Sequence, residues 1–522
     1  MNIIFFAQSR SLDVFYEIHK RLKKNISLDK VGFYVSNESH YRTFTEKHPD
    51  FEVAYPVIKE WDIYKEAQNH KTDLDRVKHY QLELGGANLW TPYVTDRRLS
   101  FGKRYAYKQS YNPHFPFDDV LSIIDLSLSA IDAFFASIEP DLICTLYTAT
   151  FGDCLGHQFA KKRGIRALDL RLSRLKNYVM FVDGVEEPPK HIKKIYNDLE
   201  DVKNESLISE AKDYIDRVRS QNSLYDGVLI ASKENAEVSY SKNLINFMRS
   251  IGSYPKRLIK KMPTLVRSLT SKYEDDPQSA NPIMSIFYKL VYKKINNWLM
   301  LNILKNQFVD SEYINNNKYI FFPLHVEPEL VLSQFARPYL NQIEVVRNIR
   351  YSTSLTKTIL VKDHPLMYGK RPISYYKKLL SIPNVKLVYP TLPSEKILRN
   401  CELLVIIRGA MGLEAAIKGI PVISLGKTLF ELLPRSMYRF CGSMYELKNE
   451  IADLLKNYKY DEEALIKYLV SVIEGSCPAN LTTDLLGKKG RYRASGKKYD
   501  FEKHPHLDKL TYYLIERINQ QK

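Results

Sequence analysis

Two short runs hold the side chains best suited to chemistry. In Thr358–Pro365 an apolar strand ends in Lys362, Asp363, His364 and Pro365. In Leu403–Glu414 a second apolar strand opens into Arg408-Gly409-Ala410-Met411-Gly412-Leu413-Glu414. Both read as strand-to-helix junctions, and in an open parallel sheet ligands bind outside the carboxyl ends of the strands. Three His-Pro pairs occur, at His48, His364 and His504, and only the second directly follows a strongly apolar strand. Proline keeps the residue before it extended. His364 therefore stands at a strand tip, where an imidazole can donate to a phosphate oxygen beside the charge of Lys362. Backbone N–H groups of the Gly409–Gly412 turn, at a helix start, can gather the same anion, with Arg408 adding charge. Glu414 can accept the hydroxyls of a ribose. The competing account makes both glycines packing residues and Glu414 a partner of the helix dipole. Ser394, after Leu392-Pro393, is either a plain N-cap or a hydroxyl offered to the phosphate.

Carboxylates come next. Pro323-Leu-His325-Val-Glu327-Pro-Glu329 ends a further strand. It places an imidazole and two acids near the expected cleft, with Glu327 assigned to the substrate and Glu329 to an early helix turn. Earlier in the chain, Asp96-Arg97 and Asp169-Leu-Arg171-Leu-Ser-Arg174 combine acids with arginines. A carboxylate there can serve as base or nucleophile, and an arginine suits an anionic sugar. Surface ion pairs are the alternative. Asp153 stands at a helix start, as a third acid candidate or an N-cap.

Two α/β units must position these groups. Residues 1–225 alternate strands (Ile3–Ala7, Val31–Val35, Phe51–Tyr55, Asp141–Leu146, Ala167–Arg171) with helices such as Val120–Ser137. Residues 317–475 do the same, with strands at Tyr319–Leu324, Thr358–Val361, Val385–Tyr389, Leu403–Ile407 and Pro421–Leu425. Such alternation predicts parallel sheets with helices on both faces, and hence two Rossmann-like domains facing across a cleft. Residues 226–316 read as a basic helical linker, and 476–522 as a glycine- and lysine-rich tail ending in a helix.

Composition limits the partners. The chain has 522 residues, is 44% hydrophobic and carries a formal charge of +17. This favours acidic ligands or an anionic membrane surface. The basic, aromatic-rich stretch from Lys242 to Lys305 suits a membrane face or a packed linker. Nucleic acid is disfavoured, because no recognised module accompanies the charge. Five cysteines without a Cys-x-x-Cys pair argue against a disulfide scaffold or a structural zinc site. The N-terminus reads as a first strand, no stretch approaches a roughly 18-residue apolar span, and a cytoplasmic location is expected. Walker, zincin, hydrolase-elbow and dinucleotide signatures are absent.

The second unit resembles bacterial capsule polysaccharide biosynthesis proteins, the family that includes the capsule β-Kdo transferases. The resemblance runs in order through Phe321–Glu329, Lys362–Pro365, Gly369–Arg371, Tyr375-Tyr376, Pro383–Val388, Ser394, Gly409–Ala415 and Gly419–Ile423. It implies a GT-B glycosyltransferase that uses a nucleotide-activated sugar and a glycan or glycolipid acceptor, with no bound metal. By the same resemblance His364-Pro365 contacts the donor phosphate, assisted by Ser394 and the Gly409 turn. Arg408 and Ala410 depart from the family's small hydroxyl residues, which leaves CMP- and UDP-sugars both open. Three other readings stand beside it: a glycerol- or sugar-phosphate transferase of envelope polymers, a nucleotide-sugar epimerase, and a non-catalytic scaffold.

Overall fold

The computed structural model describes residues 1–101, 109, 113, 115–184, 188–199, 204–221, 287–389, 392–488 and 500–520. Residues 226–286, most of the expected linker, lie outside them.

The first unit is a seven-stranded sheet. Its strands are β1 (Ile3–Ala7), β2 (Val31–Val35), β3 (Val57–Lys59), β4 (Leu142–Leu146), β5 (Arg166–Leu172) and β6 (Tyr178–Asp183). The second sheet holds β7 (Phe308–Val309), β8 (Tyr319–Pro323), β9 (Ile359–Lys362), β10 (Val385–Val388), β11 (Cys401–Ile406), β12 (Val422–Ser424) and β13 (Tyr438–Phe440). The chain then returns to the first sheet with β14 (Cys477–Pro478). Strand orders are β14-β6-β5-β4-β1-β2-β3 and β13-β12-β11-β8-β9-β10-β7. Pairing is parallel except where β6 meets β5 and β14. The central strands are buried on both faces, with β1 and β4 buried throughout. That is why they read as continuous apolar runs and not as alternating ones. The expected α/β class with two doubly wound domains is what the chain forms.

The first sheet reverses its order beside β1 and the second beside β8. In the first unit the chain steps out from β1 to β2 and β3 on one side, and to β4 and β5 on the other. In the second it steps from β8 to β9 and β10, and to β11 and β12. A crevice opens at such a switch point. The two crevices meet. Helix Leu330–Phe335, after β8, packs on helix Trp90–Thr95. Gln334 Nε2 donates to the carbonyl of Thr148, just past β4 (3.2 Å), and Arg337 Nη1 to Thr91 Oγ1 (2.7 Å).

Several expectations change. Phe51–Ala54 is a helical turn, not a strand, and the third strand follows at Val57–Lys59. Pro49 interrupts the chain before it, and Phe51 is needed in the core, where its ring meets Phe33, Phe44 and Tyr16. Residues 287–316 are part of the second unit, not a linker. Met300, Leu301 and Leu304 enter its core, and β7 extends its sheet. Residues 476–488 and 500–520 pack on the first unit, while most of the glycine- and lysine-rich loop, 489–499, lies outside the described residues. Helix Pro505–Asn519 lies on helix Ser11–Asn25, and Leu507, Leu510 and Leu514 complete the first core. Finally, helix Phe117–Ile138 has 22 residues and is apolar enough, by length and composition, to cross a membrane. Here it is a core helix, with Ile123, Leu128, Ile131 and Phe135 packed among the side chains of β1, β2 and β4. The five cysteines are buried and unbridged.

Candidate functional site

Three loops meet at the second switch point, after β8, β9 and β11. On β9, Lys362 is nearly buried and its Nζ lies 3.3 Å from Ser394 Oγ. Burial lowers its pKa to about 8, against the opposing charge of Asp363. His364 has extended backbone (φ −71°, ψ 134°), as the following proline requires. Its Nδ1 accepts the N–H of Leu366 (3.2 Å), which places the neutral ring's proton on Nε2. Burial lowers the His364 pKa, with Glu329 and Asp363 opposing, so the ring is a neutral donor near pH 7. Ser394 is not the N-cap of its helix. Pro393 takes that position, and the serine hydroxyl faces Lys362 instead.

His325 ends β8. Its Nε2 accepts the N–H of Arg408 (3.3 Å) and its Nδ1 lies 3.3 Å from Glu329 Oε2, so the carboxylate orients the ring. Packing alone would raise the pKa of Glu329. The hydrogen bond and charge of His325, with contributions from His364 and Arg174, hold it below the ordinary value. Arg174 comes from the first unit, so the acid sits where the units face each other.

Glu327 does not meet substrate as the sequence suggests. It is 2% exposed and forms a buried ion pair with Arg371, while Gln342 Nε2 donates to it at 3.1 Å. Arg371, fully buried, also binds Asp363 (Nε–Oδ1, 3.0 Å) and the carbonyl of His325. One guanidinium thereby ties the loop after β8 to the loop after β9. The bidentate fork of arginine suits that task and an ammonium does not. Asn296 supports the arrangement from the helix Lys293–Ile303, donating to the carbonyls of Gly369 (3.0 Å) and Arg371 (2.6 Å).

At the glycine turn, Gly409 has φ +149°, a conformation that L side chains rarely adopt, and a Cβ would face His325 Cε1 at 3.5 Å. Gly412 is a packing glycine. A Cβ there would meet Ile406 and Phe430 at 2.6 and 2.8 Å. The helices that follow this turn and Pro393 span only Met411–Ile417 and Ser394–Leu398. With so few aligned peptides the dipole contribution is small, and the side chains must carry the positive charge. Glu414 is buried and pairs with Lys418 (3.3 Å). Arg408 is also buried, its guanidinium 3.9 Å from the centre of the Phe335 ring. Arg171 of the first unit approaches the same ring at 5.2 Å. Arg171 and Arg408, with Ser173, Arg174, Gly409 and Phe430, line a cavity between the units.

In the first unit, Asp96 is a structural carboxylate and not an exposed acid. It caps the helix Arg97–Ser100, accepts the Phe151 N–H (2.9 Å) and pairs with Arg98, which also binds Glu60. Burial would raise its pKa, and the charge and hydrogen bonds of Arg98 overturn this. Arg97 is half-buried next to this cap. Arg171 pairs with Asp169. Asp153 sits at the first switch point. Its Oδ2 accepts from Gln8 Nε2 and from the N–H of Ala149 (2.9 Å) and Thr150 (3.0 Å), in a capping box with Thr150. Its Oδ1 is buried and has no hydrogen-bond partner, and burial raises its pKa to about 6.

The structure therefore brings together Lys362, His364, Pro365, Ser394, His325, Arg408 and Gly409, with Arg171 opposite. It withdraws Glu327 and Asp96 into buried ion pairs. Sequence reasoning undervalued Glu329 and overlooked Phe335 and the clamp of Arg371. The only signal for the clamp was an arginine shortly after the His-Pro pair.

The family described as capsule polysaccharide biosynthesis protein matches residues 260–433, which contain every second-unit residue of this site. The resemblance read from the ordered motifs is therefore a match over that segment. No curated protein matches the chain. Among solved structures, the β-Kdo 2,7 transferase KpsC of Thermosulfurimonas dismutans is similar at 9% identity, covering 75% of this chain and 90% of its own, with a TM-score of 0.35. The β-Kdo 2,4 transferase KpsC of the same organism has 12% identity, coverage of 63% and 78%, and a TM-score of 0.33. The UDP-GlcNAc 2-epimerase of Methanocaldococcus jannaschii has 13% identity, coverage of 91% and 99%, and a TM-score of 0.23.

Proposed function

We propose that this protein is a glycosyltransferase of capsular or surface polysaccharide synthesis. It moves a sugar from a CMP- or UDP-activated donor, held by the second unit, to a glycan or glycolipid acceptor held by the first. The observation that carries this reading is the pairing of Lys362 with Ser394, with the His364 ring within electrostatic reach of Lys362, at a switch-point crevice that faces a second such crevice. In transfer, the bond from the anomeric carbon to the nucleotide phosphate breaks, and a bond to an acceptor hydroxyl forms. Charge develops on the leaving phosphate, where the Lys362 ammonium and the His364 N–H stabilise it in a partly dehydrated site. These side chains supply the positive groups themselves, so the reading invokes no metal for transfer. Asp153, raised to about 6 and lying across the interface, suits the proton of the acceptor hydroxyl. The match of residues 260–433 to the capsule polysaccharide biosynthesis family supports the polysaccharide context.

The test is binding and turnover against CMP-, UDP-, GDP- and CDP-linked compounds. One nucleotide class should raise the melting temperature and support transfer. Binding should weaken as the pH rises through about 8, because Lys362 then loses its charge. In Lys362→Met the affinity should be lower and flat between pH 7 and 9. Stabilisation by none of these compounds would leave the scaffold reading in place, and turnover of a CDP-linked polyol would favour the phosphate transferase.

A peripheral membrane contact at the inner face of the cell membrane fits the same reading. Ile295, Trp298 and Ile303 are about half exposed on the helix Lys293–Ile303, beside the exposed Lys294 and Lys305. Residues 287–307 contain no acid. An apolar face flanked by lysines binds anionic interfaces. Trp298→Glu should reduce sedimentation with phosphatidylglycerol vesicles and leave transfer to a soluble acceptor intact. Unchanged sedimentation would remove this face from consideration.

A further inference from the structure

Of the other two His-Pro pairs, His504-Pro505 repeats the local geometry of His364-Pro365. His504 is extended (φ −71°, ψ 123°), and its Nδ1 accepts the N–H of the residue two positions on, His506 (3.3 Å). The same dipeptide chemistry again turns Nε2 away from the chain. Here it points to Asp484, whose Oδ2 lies 3.7 Å away. His506 Nδ1 approaches the same oxygen at 3.9 Å, and the two imidazole centroids are 4.8 Å apart. One ligand atom from each of the three residues falls within a 4.8 Å group. Asp484 Oδ2 is buried and has no hydrogen-bond partner. Separations of 3.7 and 3.9 Å are too long for hydrogen bonds but suit ligands around a shared ion. The cluster lies where the C-terminal return packs on the first unit.

We propose that Asp484, His504 and His506 form a divalent metal site that clips the C-terminal return onto the first unit. Two imidazoles and one carboxylate select a borderline ion such as Zn²⁺ over Ca²⁺ or Mg²⁺, which take oxygen ligands. Three protein ligands leave a fourth position for water. Zinc bond lengths of about 2.0–2.1 Å put tetrahedral ligand atoms ~3.3 Å apart, so the three side chains draw together on binding. His506 Nδ1 also accepts the Asn480 N–H (2.8 Å), and that bond yields when this nitrogen binds the ion. The site ties Asn480–Leu485 to the start of helix Pro505–Asn519, which completes the core against helix Ser11–Asn25.

The experiment strips the full-length protein with a chelator, then titrates Co²⁺ and Zn²⁺ while following visible absorption, heat and melting temperature. One equivalent should bind, with cobalt giving tetrahedral d–d bands and zinc raising the melting temperature. Asp484→Asn with His506→Gln should weaken binding by at least about tenfold and abolish the zinc-dependent rise. His504 is kept, because it caps the helix. No stoichiometric binding by the stripped wild type overturns the proposal, and so does an unchanged affinity in the double variant. The wild-type titration decides the question even if the variant fails to fold.

Discussion

Replacing His364 by alanine should lower the transfer rate by roughly 10² to 10³, the usual loss when one preorganised donor to a developing oxyanion is removed. Two substitutions separate this role from capping. His364 Nδ1 accepts the Leu366 N–H and so caps the short turn Pro365–Met367. Asparagine offers an oxygen near the Nδ1 position, and glutamine an N–H near the Nε2 position. His364→Gln should therefore retain more activity than His364→Asn, while His364→Asn should melt closer to the wild type. The reverse order of activities, or undiminished transfer in the alanine variant, would refute the phosphate role. Burial lowers the pKa of His364, so the neutral donor persists above pH 6.5 and this group causes no fall in rate there. For stability the sign is opposite to that of a paired histidine. The unfolded chain takes up this proton first, so the contribution is present above pH 6.5 and is lost as the pH falls below it.

Arg371→Met should be the most destabilising single change in the second unit, by about 3–5 kcal/mol. The arginine is fully buried against Glu327, Asp363 and the His325 carbonyl, and its removal strands two carboxylates in the core. Arg371→Lys should recover only part of the loss, because a point charge cannot span three acceptors on two loops. The deficit should shrink as the pH falls toward 4. Burial already raises the Glu327 pKa, and without Arg371 the carboxyl takes up a proton more readily. Urea unfolding at pH 7 and pH 5 measures both effects. A variant within about 1 kcal/mol of the wild type at pH 7 would show that the clamp contributes no more than an ordinary surface pair. Donor binding should suffer too, since the clamp sets the distance between His325 and His364.

Glu327 and Glu329 show what sequence spacing can miss. Both follow the same strand, and their spacing assigns Glu327 to the substrate and Glu329 to an early helix turn. Which acid is open depends on Arg371 and Gln342, residues 44 and 15 positions away that reach Glu327 only in the folded chain. Gly412 is a similar case. A glycine at a helix start reads as an anion cradle, and only the contacts of Ile406 and Phe430 show it to be a packing residue. The helix Lys293–Ile303 carries a basic, aromatic composition that fits a linker as well as a core element. Asn296 and Met300, buried inside the second unit, decide between them.

By itself the sequence determined what is set by local physics. Continuous apolar runs gave doubly buried parallel strands, alternation with helices gave two doubly wound units, and proline after His364 fixed an extended histidine at a strand tip. Tertiary structure alone decided which carboxylates are open and which are paired. It also brought the end of the chain back to the first sheet and made the two crevices face each other. Backbone preference and burial pattern act over a few residues and are written in order along the chain. Ion pairing and desolvation act through space, between residues whose separation in sequence carries no record of their distance.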